Sequence, residues 1–318
     1  MSLETIRWHG THLELLEPLD ARGGITHRAL SRLHEFIPMI APNRVYSRAA
    51  LRIAGAYVLT LEAAHAAEST EPIPHRLREA ARELERHSPP HAALSSMFGL
   101  MLPIARCASA TSIGLTRMRM ELAATALHAR DSAWRMASAS EACRYIAEGA
   151  TLVIGRENHP LRGGGPAGLF AALLESFHRG QRPARVFIYL PPPSSWEDVF
   201  VLRELRTRGV IPIELSNERE LRDASDKAAR ILMSASARGG GRYRMAAGSS
   251  ALVELATSCH IPLTILPSRP GLFDAGSAET PSEGGERPTV DEPPRSGDEW
   301  VRLPPGTCFV HTGEEGAG

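Results

Sequence analysis

The sequence predicts a two-part α/β fold, in which a β-hairpin and helices precede a doubly wound parallel sheet. Three observations support this. The chain has 318 residues, enough for about two domains, and its 43% hydrophobic content is that of an ordinary globular protein. Apolar residues recur at helical spacing in the first part. In the second part, short apolar runs alternate with helical segments, which is typical of parallel βαβ units.

The first part, residues 1–130, opens with the predicted hairpin. Its apolar positions alternate with polar ones around a His9-Gly10 turn: Ile6, Trp8, Leu13 and Leu15. Helical spacing then predicts a helix from about residue 24, followed by further helices around 51–61, 77–84, 91–102 and 113–129. On the last of these, the stripe of Leu115, Met118 and Leu122 predicts a face that packs into the core.

The second part, residues 131–318, carries the predicted sheet. Asp131 is the expected N-cap of a helix that ends near Gly149. Strands are predicted at 152–154, 186–189, 210–213, 231–233 and 263–266, with helices between them. In such sheets, ligands bind at the carboxyl ends of the strands, so the loops after residues 154, 189 and 233 are the expected place for chemistry.

The stretch from about 270 to 299 differs in composition from the rest of the chain. It is acidic and rich in Pro and Gly, and it contains few residues able to form a core. This composition predicts a disordered insert within the second domain. The following VRLPPGTCFVHT segment predicts a final edge strand.

Composition argues against several classes of protein. Thirty-six basic residues balance thirty-six acidic ones, so neither a nucleic acid nor a membrane surface is an expected partner. The N-terminus lacks a signal-peptide pattern, and no apolar run approaches the about 18 residues of a membrane span, so a cytoplasmic location is expected. The four cysteines are far apart. No metal is predicted, since Ser-Pro-Pro interrupts the helical spacing between His87 and His91.

The sharpest local motif is LVIGRENHPLRGGGPAGLFAALL, a strand that enters a glycine-rich loop before a helix. Backbone N–H groups at a helix N-terminus favour an anion, and glycines allow a phosphate to approach. The expected ligand-binding residues are Asn158, Arg162, Gly163, Gly164 and Gly165, with Arg156 and His159 as further donors. In the alternative interpretation, the glycines only permit a sharp turn, and the spacing matches neither common nucleotide-binding pattern. Glu157 could form an acid–base pair with His159, but it is a weak catalytic candidate, because side chains so close in sequence seldom converge on one point.

A second glycine-rich segment, SARGGGRYRM, follows the strand that ends at Met233 and is locally basic. It is interpreted either as a loop that binds an anion or RNA, or as a solvated loop. The zero net charge of the chain favours the solvated loop.

Four segments occur together in one order: IRWHGTHLELL, IAGAYVLTLEAA, CRYIAEGATLVI and HIPLTILPS. In this they resemble methylthioribose-1-phosphate isomerase and its relatives, the ribose-1,5-bisphosphate isomerases and the regulatory subunits of the exchange factor for the translation-initiation GTPase. The resemblance implies a helical N-terminal domain, a Rossmann-like C-terminal domain and a dimer formed through the latter. In the enzymes of this family, an aldose phosphate becomes a ketose phosphate. No cofactor is expected.

The functional positions depart from the family pattern. The position of the family's catalytic cysteine falls on Glu157, and that of its catalytic aspartate falls on Ala235. Most of the substrate-binding positions have changed as well: Tyr46 to Ala49, Ser88, Leu190 to Pro193, Trp196, Met245 and Ala246. The expectation is therefore a non-catalytic relative with a ligand-binding, regulatory or assembly role.

The expected partners of such a relative are a sugar-phosphate or nucleotide ligand and a second copy or a paralogue. One alternative is an enzyme with rewired aldose–ketose isomerase chemistry on a sugar or nucleotide phosphate. Another is a plain structural partner of an active paralogue.

Overall fold

The computed structural model describes residues 4–18, 25–40, 47–66, 72–87, 92–109, 112–157, 161–162, 165–268, 272 and 298–311. The chain divides into two compact units. The boundary falls between Ala133 and Trp134, inside one long helix, and residues 161–165 belong to the N-terminal unit. Over the described ranges, no helix is both long and apolar enough to cross a membrane.

The N-terminal unit begins with a small sheet of strands β1 (Ile6–Trp8), β2 (Leu13–Pro18) and β3 (Ile25–Leu30), in that order. The helices are α1 (Leu33–Phe36), α2 (Arg48–His65), α3 (Ile73–His87), α4 (Ala92–Ser109) and α5 (Ile113–Ala142), which continues into the C-terminal unit. The hairpin prediction agrees with the antiparallel pairing of β1 with β2, in which Trp8 faces Leu13.

The helix predicted from residue 24 is a strand up to Leu30. The Glu35 carboxylate explains where the helix begins, because it accepts hydrogen bonds from the N–H groups of Ser31 (2.6 Å) and Arg32 (3.0 Å). These bonds cap α1 at its first turn, so the helix starts only at Leu33. The same bonds hold the pKa of Glu35 below its ordinary value, the bond from Ser31 having the largest effect.

The core face of α5 is also not the predicted one. Met118 and Leu122 are exposed, whereas Met120 and Ala124 are fully buried. Both pairs have the helical i,i+4 spacing, so periodicity alone does not distinguish them. Asp131 is not an N-cap, since α5 runs through it to Ala142.

The remaining strands and helices follow in chain order. The strands are β4 (Thr151–Gly155), β5 (Leu161–Arg162), β6 (Gly165–Pro166), β7 (Arg185–Tyr189), β8 (Pro212–Leu215), β9 (Arg230–Gly239), β10 (Arg242–Met245), β11 (Leu263–Pro267), β12 (Glu299–Val301) and β13 (Cys308–Phe309). The helices are α6 (Gly168–His178), α7 (Trp196–Thr207), α8 (Glu218–Ser225) and α9 (Ser249–Ser258).

The large sheet of the C-terminal unit confirms the α/β prediction. Its parallel strands lie in the order β8-β7-β4-β9-β11-β13, and β10 and β12 add antiparallel pairings beside the far half of β9. The second glycine-rich segment is therefore a β-hairpin with a Gly240-Gly241 turn, not a solvated loop. Arg244 on this hairpin is almost fully buried and bonds Ser236.

Both ends of the predicted insert are packed. Leu272 is buried in the apolar core of the sheet, and Asp298 lies 3.8 Å from the guanidinium of Arg244. Glu299 begins β12. The rest of the predicted insert, 270–271 and 273–297, lies outside the described residues.

The packing of Leu272 generates the first prediction. Leu272→Ala should lower the free energy of unfolding by about 2–5 kcal/mol, because it leaves a cavity in the core. Met136→Ala in the same unit is the control, since Met136 is 72% exposed and its loss should cost less than about 0.5 kcal/mol. Urea denaturation measures both. Equal, small effects would contradict the packing of Leu272.

Candidate functional site

The topology of the large sheet identifies one position where a ligand is expected. From β4, the chain proceeds through α6 to β7 and then to β8 on one side, and it later returns to place β9 on the other side of β4. The strand order therefore reverses between β4 and β9. In open α/β sheets, ligands bind in the crevice at the carboxyl ends of the strands at such a switch point.

Apolar side chains fill this crevice. A Cβ atom on Gly155, the last residue of β4, would lie 2.9 Å from Leu252 Cδ1 and 3.4 Å from Met233 Cγ. Ala235, the position at which the sequence resemblance places a catalytic aspartate, is fully buried among the same core residues.

The Glu157 side chain occupies the N-terminus of α6, where the sequence predicted that a phosphate could bind. Its carboxylate accepts hydrogen bonds from the N–H groups of Leu169 (3.3 Å) and Phe170 (3.2 Å), in the first turn of α6. Gly168 makes this approach possible, because a Cβ atom there would overlap the carboxylate, and its φ of +51° is in the left-handed region. The negative charge also complements the helix dipole.

Arg156, expected as an anion donor, is bound internally. Its Nη2 lies 2.6 Å from Asp198 Oδ2, and its Nη1 donates to the carbonyl of Pro193 at 2.9 Å. The same Asp198 oxygen accepts from the Ser195 N–H at 2.6 Å, which closes a capping box at the start of α7. Asp198 is buried and Arg156 is half-buried, so a phosphate would have to compete with a short, charge-assisted contact.

The start of α9 is capped by a carboxylate from a distant part of the chain. Glu299 accepts hydrogen bonds from the N–H groups of Gly248 (2.7 Å) and Ser250 (2.9 Å), and from the Ser250 hydroxyl. At α8, the carboxylate of Glu220 accepts from the Ser216 N–H at 2.7 Å. The helices α6 and α9 thus begin with a carboxylate that accepts from first-turn N–H groups. At α7 and α8 the first-turn N–H is capped by Ser195 Oγ and Asn217 Oδ1, and Asp198 and Glu220 accept from N–H groups just before the helix.

A small cavity lies between α6, α7 and the ends of β4 and β7. Its lining is apolar apart from backbone atoms and the side chains of Arg156, Glu157 and Asp198. Its volume of about 30 Å³ has room for one or two water molecules.

The predicted ligand-binding residues are only partly described. Asn158, Gly163 and Gly164 lie outside the described residues, and Arg162 is described only in its backbone, on β5. Gly165 is buried on β6. His159 also lies outside the described residues. Whether these residues form a ligand site therefore stays a prediction, and of the predicted catalytic and binding side chains, the partners of Arg156 and Glu157 are seen.

Sequence reasoning missed one cluster of polar side chains. The ligand atoms of His9, His12 and Glu14 all lie within 4.8 Å of one another on the N-terminal hairpin. The predicted hairpin already contained the signal, because alternation puts these residues on the face opposite Trp8 and Leu13.

The two units together define a class of fold, a helical N-terminal unit with a hairpin and a Rossmann-like C-terminal unit. No family model and no curated protein sequence matches the chain. Among solved structures, it is similar to the translation initiation factor eIF-2B subunit delta from A. fulgidus, with a TM-score of 0.77 and 17% identity, covering 98% of this chain and 95% of that one.

Two further solved structures share the fold. The 5-methylthioribose 1-phosphate isomerase from Pyrococcus horikoshii OT3 has a TM-score of 0.71 and 11% identity, covering 82% of this chain and 74% of that one. The eIF2B delta from Chaetomium thermophilum has a TM-score of 0.55 and 15% identity, covering 73% and 85%. The resemblance seen in the sequence is thus confirmed at the level of the fold.

The contact between Glu157 and Gly168 generates the second prediction. Gly168→Ala should lower the free energy of unfolding by about 1–3 kcal/mol, because it strains the backbone and displaces the carboxylate. Glu157→Ala should cost about 1 kcal/mol through loss of the cap. The double variant should cost less than the sum of the two, since the displaced group is already absent. Urea denaturation of the four proteins measures the coupling.

Gly180→Ala provides the matched control for this cycle. Gly180 also has a positive φ, of +79°, but a Cβ atom there meets nothing within 4 Å. Gly180→Ala should lower the free energy of unfolding through backbone strain alone, and its effect should show no coupling to that of Glu157→Ala. Additive effects of Gly168→Ala and Glu157→Ala would show that the carboxylate is not held over Gly168.

Proposed function

We propose that this chain is a non-catalytic relative of the sugar-phosphate isomerases that share its fold, with a regulatory or assembly role. The observation that carries this proposal is the Glu157 carboxylate on the N-terminus of α6. An internal anion there uses the backbone donors that a substrate phosphate would need. Displacing it would require an external anion to offset the loss of two hydrogen bonds and a favourable dipole interaction.

The residues at the two positions matched to catalytic groups support the same proposal. Aldose–ketose isomerisation needs an acid and a base to move a proton or hydride between adjacent carbons. Ala235 has no titratable group, and Glu157 is committed to two backbone donors. A buried thiol elsewhere in the unit does not replace the missing cysteine, because burial raises the pKa of Cys143 to about 11.

The exposed apolar residues at one edge of the large sheet support an assembly role. Ile211 is 80% exposed and Ile213 is 42% exposed, and both lie at or beside the edge strand β8. An edge strand with apolar side chains is a natural surface for pairing with another chain. We therefore propose that the C-terminal unit mediates self-association or pairing with a paralogue.

The third prediction concerns catalysis. Purified protein should not convert methylthioribose 1-phosphate or ribose 1,5-bisphosphate to a ketose phosphate, because both matched catalytic positions lack the required groups. Product formation is followed by NMR, with an active isomerase of this fold as the positive control. A turnover of about 10 per second, as in a typical enzyme, would refute the proposal and favour rewired isomerase chemistry.

A thermal-shift screen over sugar phosphates and nucleotides separates ligand sensing from pure assembly. A ligand that binds only the folded state raises the melting temperature whether or not it is converted. A shift without turnover would assign a sensing role, and no shift would leave assembly as the proposed role.

The fourth prediction concerns the edge of the sheet. The protein should sediment as a dimer at micromolar concentration, and Ile211→Glu with Ile213→Glu should shift it towards the monomer by adding charge to the contact. Met136→Glu is the control, because Met136, 72% exposed, is also an exposed apolar residue but lies on α5 rather than on β8. A wild-type protein that is only monomeric would count against self-association.

A further inference from the structure

The N-terminal hairpin separates two kinds of side chain onto its two faces. Successive side chains of a strand alternate between faces, and residues paired across an antiparallel ribbon share a face. The register pairs Trp8 with Leu13 and Arg7 with Glu14, and the N–H of His9 donates to the carbonyl of His12 at 3.1 Å. Two histidines therefore face each other across the turn, on the side opposite the apolar residues.

The side chains on this polar face converge. The rings of His9 and His12 stack, with centroids 4.5 Å apart and planes 11° apart. His9 Nε2 lies 3.3 Å from Glu14 Oε2. One ring nitrogen from each histidine and one oxygen from Glu14 fall within 4.8 Å of one another. Small side-chain rotations would bring such a set around one ion, because zinc ligands lie about 2.0–2.2 Å from the metal.

We propose that His9, His12 and Glu14 form a binding site for a divalent late first-row transition metal, and that the bound ion is Zn²⁺. Imidazole nitrogens suit zinc, copper and nickel, whereas magnesium and calcium require mainly oxygen ligands. Two histidines and one carboxylate leave the fourth tetrahedral position to water, since His9 is exposed and the other two are half-buried.

The neighbouring arginine limits the affinity of this site. Arg7 Nη1 lies 3.7 Å from Glu14 Oε2, so a positive charge already faces the carboxylate that the metal would use. A bound Zn²⁺ would have to replace part of this interaction. The arrangement therefore has a specific signature, namely that removal of Arg7 tightens metal binding while removal of any of the three ligands weakens it.

Metal binding at this site would be linked to the stability of the N-terminal unit. On the apolar face of the same hairpin, Trp8 stacks on Tyr57 of α2 with ring centroids 4.8 Å apart. Trp8 Nε1 also donates to Glu121 of α5 at 2.7 Å. A metal that clips the two strands together at the turn stabilises the folded hairpin and these contacts, since it binds only where the three ligands converge.

Isothermal titration of the full chain with Zn²⁺, in a reducing buffer without phosphate, tests the proposal. The wild type should bind one equivalent that is lost in His9→Asn/His12→Asn. Each single variant, including Glu14→Gln, should weaken binding by at least the 10- to 100-fold that loss of an outer-shell partner costs. Arg7→Ala should bind more tightly. His178→Asn is the control, because His178 is an exposed histidine at the end of α6.

Co²⁺ as a spectroscopic probe distinguishes this site from the exposed thiols of Cys107 and Cys259. A nitrogen and oxygen ligand set gives d–d absorption without a thiolate charge-transfer band. A charge-transfer band, or wild-type affinity no greater than that of His9→Asn/His12→Asn, would overturn the proposal. Unchanged affinity in Glu14→Gln would exclude Glu14 and with it the three-ligand site.

Discussion

The N–H groups that open a helix need acceptors, and in this protein the chain supplies them at the edge of the sheet where the fold would receive a ligand. Glu157 accepts from N–H groups at the start of α6, and Glu299 does so at the start of α9. At α7 the Ser195 hydroxyl accepts the first-turn N–H, and Asp198 accepts from the Ser195 N–H. Each carboxylate also fixes a loop. Glu157 draws the end of β4 against Gly168, Asp198 holds Arg156, and Glu299 brings β12 to the start of α9. The geometry of the whole edge follows from these bonds.

The same scaffold can host catalysis or assembly, because function resides in the residues placed on a fold rather than in the fold. Here the switch point between β4 and β9 is occupied by Met233, Ala235 and Leu252, all buried. These side chains extend the core into the crevice. They bury apolar surface at a place where an active site would have polar groups instead. Such an exchange contributes to the stability of the unit.

The N-terminal hairpin illustrates how one local pattern serves two purposes. Its apolar face anchors Trp8 on Tyr57, and its polar face gathers His9, His12 and Glu14. The alternation that allows the ribbon to pack also concentrates the polar side chains on the other side. A ligand bound on the polar face would therefore act through the backbone of the hairpin on the contacts of the apolar face.

The sequence by itself determined the α/β class, the hairpin and the parallel strands of the second part, because these follow from alternation and helical periodicity within short windows. It did not determine which face of α5 is buried, that residues 25–30 form a strand, or that Arg244 is internal, since several local patterns satisfied the same periodicity. The tertiary structure alone decided the chemistry at the edge of the sheet. Glu299 reaches Gly248 across 51 positions, and Glu157 reaches Phe170 across 13. Such hydrogen bonds form only where the folded sheet places a carboxylate next to backbone donors from a distant part of the chain. Patterns among neighbouring residues therefore do not predict them.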